Sequence, residues 1–525
     1  MRLLLTVLAA VLTFGQSTEG LRILGLFPLN GRSHWIMGER LLTSLAERGH
    51  TVDVVTHFTV KEPPANYTEI SLEGTLESAV NKLELSHVVQ FNNQNFELLT
   101  RMVGDQICKL MDYPKLKQLI DNPPKDPPYD LVIVEMFLAS CYLAFGRHLN
   151  VPMVGVVTAG SDEWFTEKLG NPFNPSFVPS LFTSYDQKMN FWQRLMNTFL
   201  TNMVAFQLDR YVNPQQQYVQ KYFGINATIT DLYHDLDLLL VNSHHSLLGI
   251  RPLTMGIVEV GGLHVKDDGK PLPADLQKWL DESKHGCILF TFGSMVRIET
   301  FPESLLRSVY KVFEKIAPVR VLMKVGKKEE LLPGLPKNVM TKPWFPQVAV
   351  LKHKNTKAFI THGGLMGLQE SVHFGVPLVG IPLYGDQHGN LDSASKKLFA
   401  VNLRSFKEVN EKTLGDAINT VLYNETYRAN IKKVSELFKD RPMSAVDTAI
   451  YWIEYVARHG KILQSPAIHL SWWQVHLFDV YGFMLACIVL ILYVFVLLVR
   501  KLKRKLLDSS CDHKSKKSSN SKKNK

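Results

Sequence analysis

Between Phe359 and Asn390 the chain reads FITHGGLMGLQESVHFGVPLVGIPLYGDQHGN, with three histidines, seven glycines, one Glu and one Asp set between apolar runs. Three chemistries are open to that mixture: a metal site, a histidine-based catalytic centre, or a cradle for a ligand's phosphates. KAFIT (357–361) reads as a strand, HGG as its exit, and LMGLQESVHF as a helix ended by Gly375. In open α/β sheets ligands bind beyond the carboxyl ends of strands. A glycine-rich exit into a helix also presents free N–H groups at the positive end of the helix dipole. The stretch is neither a Walker loop, for want of Gly-Lys-Ser/Thr, nor the dinucleotide GxGxxG. His362 is placed to donate to phosphates, and Glu370, two helical turns on, to accept from sugar hydroxyls. His362, His373 and His388 lie 11 and 15 residues apart, unlike the i, i+4 pairing of metal-binding helices, so no metal is expected. Asp235-Leu236-Asp237 is a DxD of the kind some sugar transferases use to hold a metal, but it precedes LLLVNS and reads as a polar strand entry.

Upstream, Trp344-Phe345-Pro346-Gln347 pairs a flat aromatic with an amide. The ring can stack on a base while a neighbouring amide reads the base edge. With a phosphate cradle following closely, a nucleotide is the expected ligand. Asp386-Gln387 then falls where a third ligand moiety needs a hydroxyl acceptor and an amide.

These residues need a scaffold. LRILGLF (21–27), a helical stretch through about Arg48 stopped by Gly49, and TVDVVT (51–56) make a βαβ start, and DLVIV (130–134) and VPMVGVV (151–157) repeat the theme. Residues 173–223 are aromatic and mostly helical in pattern. A second series, CILFTFGS (287–294), VRVLMKV (319–325), KAFIT and VPLVGIP (376–382), follows after Asn242. The alternation predicts two doubly wound domains with a cleft between them. An amphipathic helix is expected over about 445–459.

At 525 residues the chain exceeds one ordinary core. Met1 to about Gly20 reads as a secretory signal: Arg2, then LLLTVLAAVLTF, then small and polar residues. Tyr481–Val499 is an uncharged run long enough to span a bilayer, and the RKLKRK that follows reads as a cytoplasmic stop. Residues 500–525 hold 11 Lys and Arg against 2 Asp, a net +9 of the chain's +10. The body is therefore near neutral, which argues against nucleic-acid binding. The expected topology is type I, with the body luminal and the tail cytosolic. Lys522 and Lys523 match a dilysine signal for retrieval to the endoplasmic reticulum. The sequons at Asn66, Asn226 and Asn424 fall on the luminal side. Of five cysteines only Cys108, Cys141 and Cys287 are luminal, enough for at most one bridge.

The run from WFPQ through HKNTKAFITHGG and GVPLVGIPLYGDQ, together with RPLTMGIVEVGGLH, FTFGSMV and DTAIYWIEYVARHG, resembles the membrane-bound UDP-glycosyltransferases, the UDP-glucuronosyltransferase family, over essentially the whole chain. The resemblance implies an α/β fold of two doubly wound Rossmann-like domains facing a cleft (GT-B type) plus one C-terminal transmembrane helix. The expected division is a signal peptide (1–20), an acceptor-binding domain (21–245), a UDP-sugar-binding domain (246–440), a closing helix and juxtamembrane segment (441–478), the span (479–499) and a basic tail (500–525). By resemblance Trp344 stacks on uracil beside Gln347. His362, Gly363, Gly364 and Gly367 lie against the diphosphate, with Ser294 and Arg251 in support. Glu370 holds the ribose, and Asp386 and Gln387 hold the transferred sugar.

In the N-terminal half, Ser33-His34-Trp35 matches the family's catalytic His, in the loop after the first strand. DLVIVEMF places Glu135 where the family usually has the Asp that orients it. A His base would deprotonate an acceptor hydroxyl, and a single displacement would invert the anomeric carbon with no cofactor beyond the UDP-sugar co-substrate. Met366 stands where vertebrate members have Asn, and GDQHGN also departs from them, as in the invertebrate branch that often uses UDP-glucose. The expected activity is transfer of glucose or glucuronate to a small lipophilic acceptor, for detoxification or for hormone or pigment conjugation. Homo- or hetero-oligomers are common in the family. The alternative is a non-catalytic binding protein of the same fold.

Overall fold

The computed structural model describes residues 20–86, 96–160, 163–267 and 269–521. The signal segment, apart from Gly20, and the dilysine pair Lys522 and Lys523 lie outside the described residues. Two parallel sheets organise the body. The first runs in the order β3-β2-β1-β4-β5-β6-β7 and comprises β1 (Arg22–Phe27), β2 (Thr51–Thr56), β3 (Tyr67–Ser71), β4 (Leu131–Glu135), β5 (Met153–Val157), β6 (Leu238–Val241) and β7 (Ile257–Glu259). The second runs β10-β9-β8-β11-β12-β13 and comprises β8 (Cys287–Thr291), β9 (Arg320–Lys324), β10 (Val339–Lys342), β11 (Thr356–Thr361), β12 (Leu378–Gly380) and β13 (Ala400–Asn402).

The central strands are largely apolar because both faces of each sheet are covered. Along β1 the side chains alternate between cores: Leu24 and Leu26 pack on one face, Ile23 and Phe27 on the other. Across the second sheet Ile288 and Phe290 take one face and Cys287 and Leu289 the other. Period-two alternation of this kind lets one run of apolar residues fill two cores.

Each sheet reverses its strand order once, between β1 and β4 and between β8 and β11. Helix α1 (Arg32–Glu47) leaves the first of these points after β1 and ends before Gly49, whose φ is +102°. The aromatic stretch is helical as expected, its longest element being α2 (Phe191–Val212). In the second half α3 (Gln347–Lys352), α4 (Leu365–Phe374) and α5 (Gln387–Lys396) start at the carboxyl ends of the sheet. Cys108 and Cys141 form the disulfide, with Cα atoms 6.0 Å apart, and Cys287 is free and buried.

Two expectations are corrected and one sequon is qualified. The first domain does not end at 245, because β7 pairs with β6 and extends the first sheet to Glu259. The segment expected only to close the molecule, α6 (Ala445–His459), is part of the first domain's core. Its Ala449, Ile450, Ile453 and Val456 lie on one stripe and pack on the face that carries α1. The sequon at Asn66 is also less open than its motif suggests: its Nδ2 donates to the carbonyls of His50 (3.0 Å) and Ala46 (3.4 Å), whereas Asn226 and Asn424 are exposed.

Residues 466–521 form a separate unit. Its helix α7 (Phe478–Ser521) is, over Phe478–Leu507, the one helix among the described residues long and apolar enough to cross a membrane. It continues past Val499, where the span was expected to stop.

Ile453 is fully buried between α6 and the first sheet. Ile453→Ala is expected to cost about 2–5 kcal/mol and to lower the unfolding midpoint of the body in a thermal melt.

Candidate functional site

The carboxyl ends of the two sheets face one cavity of roughly 1020 Å³. That is ample for two ligands at once, since single-ligand pockets run from about 300 to 1,000 Å³. Its walls divide by chemistry. Phe96, Met102, Phe137, Phe165, Phe182 and Leu208 give the first half an apolar lining, while the second half contributes glycines, amides and acids.

On the second half, β11 ends at Thr361 and His362-Gly363-Gly364 leads into α4. Gly363 has φ +85°, and a Cβ there would sit 2.4 Å from the Leu391 side chain, so backbone and space both demand glycine. His362 lines the cavity, and burial, assisted by the Lys324 ammonium, holds its imidazole down to about 4. It is therefore neutral at ordinary pH and serves as a hydrogen-bonding group, not a charge. Gly364, Gly367 and Ser294 line the same wall.

Trp344 is 46% exposed and presents its ring to the cavity. Gln347, the first residue of α3, donates from Nε2 to Glu370 Oε2 at 2.6 Å. That bond joins two residues that the sequence places 23 apart and fixes the carboxylate on the cavity wall. Gln387 spends its amide oxygen on the backbone N–H groups of Leu383 (2.9 Å) and Tyr384 (3.0 Å), and its side chain also bonds the Tyr384 phenol. Asp386 accepts from Asn390 Nδ2 at 2.9 Å. Enclosure by the cavity walls pushes its carboxyl up, opposed by the Asn390 bond and by the nearby His34. Met366 also lines the cavity.

Opposite stand His34 and Glu135. His34 lies in the first turn of α1, not in the loop before it, and Glu135 is the last residue of β4. Parallel pairing sets Leu26 of β1 beside Val134 of β4, which brings the two exits together at the first sheet's switch point. His34 Nδ1 meets Glu135 Oε1 at 3.0 Å, and Phe137 packs edge-on against the imidazole. The carboxylate is buried while the imidazole stays partly open to the cavity. Thr158, which follows β5, completes the cluster with Oγ1 2.6 Å from His34 Nδ1 and 3.1 Å from Glu135 Oε1.

Not every expected residue gathers here. Arg251 lies in the loop before β7 and is not among the residues that line the cavity. Asp235 pairs with Arg147, and Asp237 is buried and accepts from the Met153 N–H at 2.9 Å, so the DxD is a strand entry. His373 sits in the last turn of α4 outside the cavity lining, whereas His388 lines it.

Lys324, the last residue of β9, was missed. It is the one Lys or Arg among the described residues lining the cavity, and burial lowers its ammonium to about 8. It donates to Asn81 Oδ1 and to the Ser294 carbonyl. Asn81 reaches over from the first half with φ +52° and gives its own N–H to the Ser294 carbonyl at 2.9 Å. The cue was a lysine one place from the end of the apolar run VRVLMKV.

The family model for UDP-glucoronosyl and UDP-glucosyl transferases matches residues 24–513. UDP-glucosyltransferase 2 of Dactylopius coccus is 37% identical over 493 residues, covering 92% of this chain and 93% of that protein. UDP-glucuronosyltransferase 2A3 of Mus musculus is 29% identical, covering 88% and 89%. Among solved structures, the glycosyltransferase VinC in complex with DTDP matches with a TM-score of 0.56 at 16% identity, over 84% of this chain and all of that one. Phytolacca americana UGT2, complexed with UDP-2fluoro-glucose and pterostilbene, matches at 0.55 and 15% identity, over 83% and 99%. These likenesses fix the architecture as GT-B.

A nucleoside diphosphate in this cavity would meet its positive charge at Lys324. Lys324→Met is expected to weaken UDP binding by roughly 10- to 100-fold, a charge-assisted hydrogen bond being worth about 1.5–3 kcal/mol. Because the lysine loses its proton above about 8, affinity in the unaltered protein should fall between pH 7 and 9, and in Lys324→Met it should be flat. Titration calorimetry at both pH values checks this.

Proposed function

The chain belongs to the UDP-glucoronosyl and UDP-glucosyl transferase family and is a UDP-glycosyltransferase, and from that premise we propose that it transfers glucose from UDP-glucose to a hydroxyl of a small lipophilic acceptor, with His34 as general base. The observation that carries this reading is the His34–Glu135 pair, set across one cavity from the Asp386 loop and the His362 cradle. The apolar wall of the first half suits the acceptor.

In this reading Trp344 stacks on uracil, Gln347 lies beside it, and Glu370 accepts from the ribose. Gly363, Gly364 and the amino end of α4 hold the diphosphate with His362 and Lys324, and Asp386 and Gln387 hold the sugar. The acceptor hydroxyl gives its proton to His34 Nε2 as its oxygen attacks the anomeric carbon from the face away from UDP. The bond from that carbon to the phosphate oxygen breaks and UDP leaves with the electron pair. The α4 dipole and Lys324 stabilise the charge that develops on the diphosphate. Glu135 orients the imidazole and balances the imidazolium. The product is inverted at the anomeric carbon.

Glucose is preferred over glucuronate because a glucuronate carboxylate needs its own cation. Lys324 is the single lysine or arginine in the described lining, and the diphosphate already calls on it. The 37% identical relative is named a glucosyltransferase. The reading includes a membrane anchor. Phe483, Leu485, Ile491 and Phe495 are each more than 60% exposed, a surface that hydrocarbon stabilises and water does not. Retention in the endoplasmic reticulum with a luminal body, detoxification or conjugation of hormones or pigments, and association of copies complete the proposal on the strength of the family and the tail.

The test is turnover by microsomes against phenol and steroid acceptors. His34→Ala is expected to lower kcat by about 10²–10⁴-fold and leave UDP binding unchanged. UDP-glucose should out-compete UDP-glucuronate as donor. Transfer retained by His34→Ala, or none by the intact chain across a broad acceptor panel, overturns the reading.

A further inference from the structure

Thr158 touches both members of the His34–Glu135 pair, and it is 2% exposed. A threonine hydroxyl has one proton to give and lone pairs to accept with. Were that proton given to His34 Nδ1, this nitrogen would be unprotonated and would face the Glu135 carboxylate, 3.0 Å away, lone pair to lone pair. The opposite arrangement satisfies every atom. Thr158 Oγ1–H donates to Glu135 Oε1, and the Nδ1–H of His34 is shared between Oε1 and Oγ1. Only one tautomer of His34 fits: Nδ1 carries the proton, and Nε2, with no hydrogen bond among the described residues, keeps its lone pair for the cavity.

The backbone that carries this hydroxyl is linked to both halves of the body. Asn242, fully buried just past β6, donates from Nδ2 to the Thr158 carbonyl at 2.8 Å. The Asn242 carbonyl in turn accepts from Gln369 Nε2 at 3.3 Å, and Gln369 precedes Glu370 on α4. The backbone that carries Oγ1 is thus tied to the helix whose amino end forms the phosphate cradle.

We propose that Thr158 is a positioning residue for the base, whose hydroxyl fixes the Nδ1-protonated tautomer of His34 and holds the Glu135 carboxylate against it. The inference rests on the reading of His34 as general base. As His34 takes the acceptor's proton, its positive charge is met on the Nδ1 side by two oxygens in place of one. With its one proton given to Glu135, the Thr158 hydroxyl acts through the pair, so its loss should act on the chemical step and not on donor binding.

Thr158→Val keeps the shape and removes the hydroxyl, and Thr158→Ser keeps the hydroxyl and removes the methyl. For the Val variant in the full-length microsomal enzyme, kcat is expected to fall by about tenfold, a fraction of what a whole general base supplies. KM for UDP-glucose should stay unchanged, and the acid limb of the kcat/KM profile, which reports His34, should be displaced. Thr158→Ser should restore both the rate and the limb. A Val variant with the kcat and pH profile of the unaltered enzyme overturns the proposal, as does a Ser variant impaired as severely as the Val variant. UDP binding checks that the Val variant is folded; if it is not, Thr158→Ala is compared with Thr158→Ser under the same criteria. Activity retained by His34→Ala defeats the parent reading, whereas an inactive His34→Ala beside a normal Thr158→Val defeats this inference alone.

Discussion

The bond from His34 Nδ1 to Glu135 Oε1 joins residues 101 apart in sequence, and it exists only because β1 and β4 run parallel and in register. A one-residue slip of either strand would turn its side chains to the opposite face. The register is secured by alternation. Leu24 and Leu26 must stay in one core, and Ile23 and Phe27 in the other. The chemistry of this protein therefore depends on burial far larger than itself, with the pair sitting where the strand order reverses and the two crossovers part to leave room. The second sheet repeats the device at β8 and β11, which open into Ser294 and His362.

Electrostatics divide the labour between the halves. On the donor side, positive character comes from backbone amides at the start of α4 and from one lysine, while His362 is kept neutral by burial. Such a site can stabilise a leaving diphosphate without offering a competing base. On the other side the imidazole is partly open and its carboxylate partner is closed off from water.

Much of the cavity lining contributed by the second half was legible because it is contiguous: from Trp344 to Gln387 its residues follow one another along strand exits and helix starts. The helix LMGLQESVHF and its stop at Gly375 fall as the pattern predicts. The long, fully buried strands were legible for the same local reason. The edge strands were not. YTEIS of β3 is half polar, and β7 and β13 have three residues each, too few to show a period. That the first sheet runs on to Glu259 was not legible, because β7 joins it by a pairing that no local pattern announces. Thr158 and Lys324 belong to the same class. Thr158 follows an apolar strand and Lys324 ends one, and what draws each into the cavity wall is a partner 124 or 243 positions away.

The substitution of Glu for Asp at 135 bears on the same cluster. A carboxylate one methylene further from its backbone has more rotamer freedom and gains less from a single contact, because ordering it costs more entropy. Here Oε1 is held by two donors, the His34 ring and the Thr158 hydroxyl, within 3.1 Å. The carboxylate is also almost wholly buried at the strand end. Two donors and close walls remove the freedom that the extra methylene adds. The longer acid and the threonine therefore act as one unit, the first supplying the charge and the second its position.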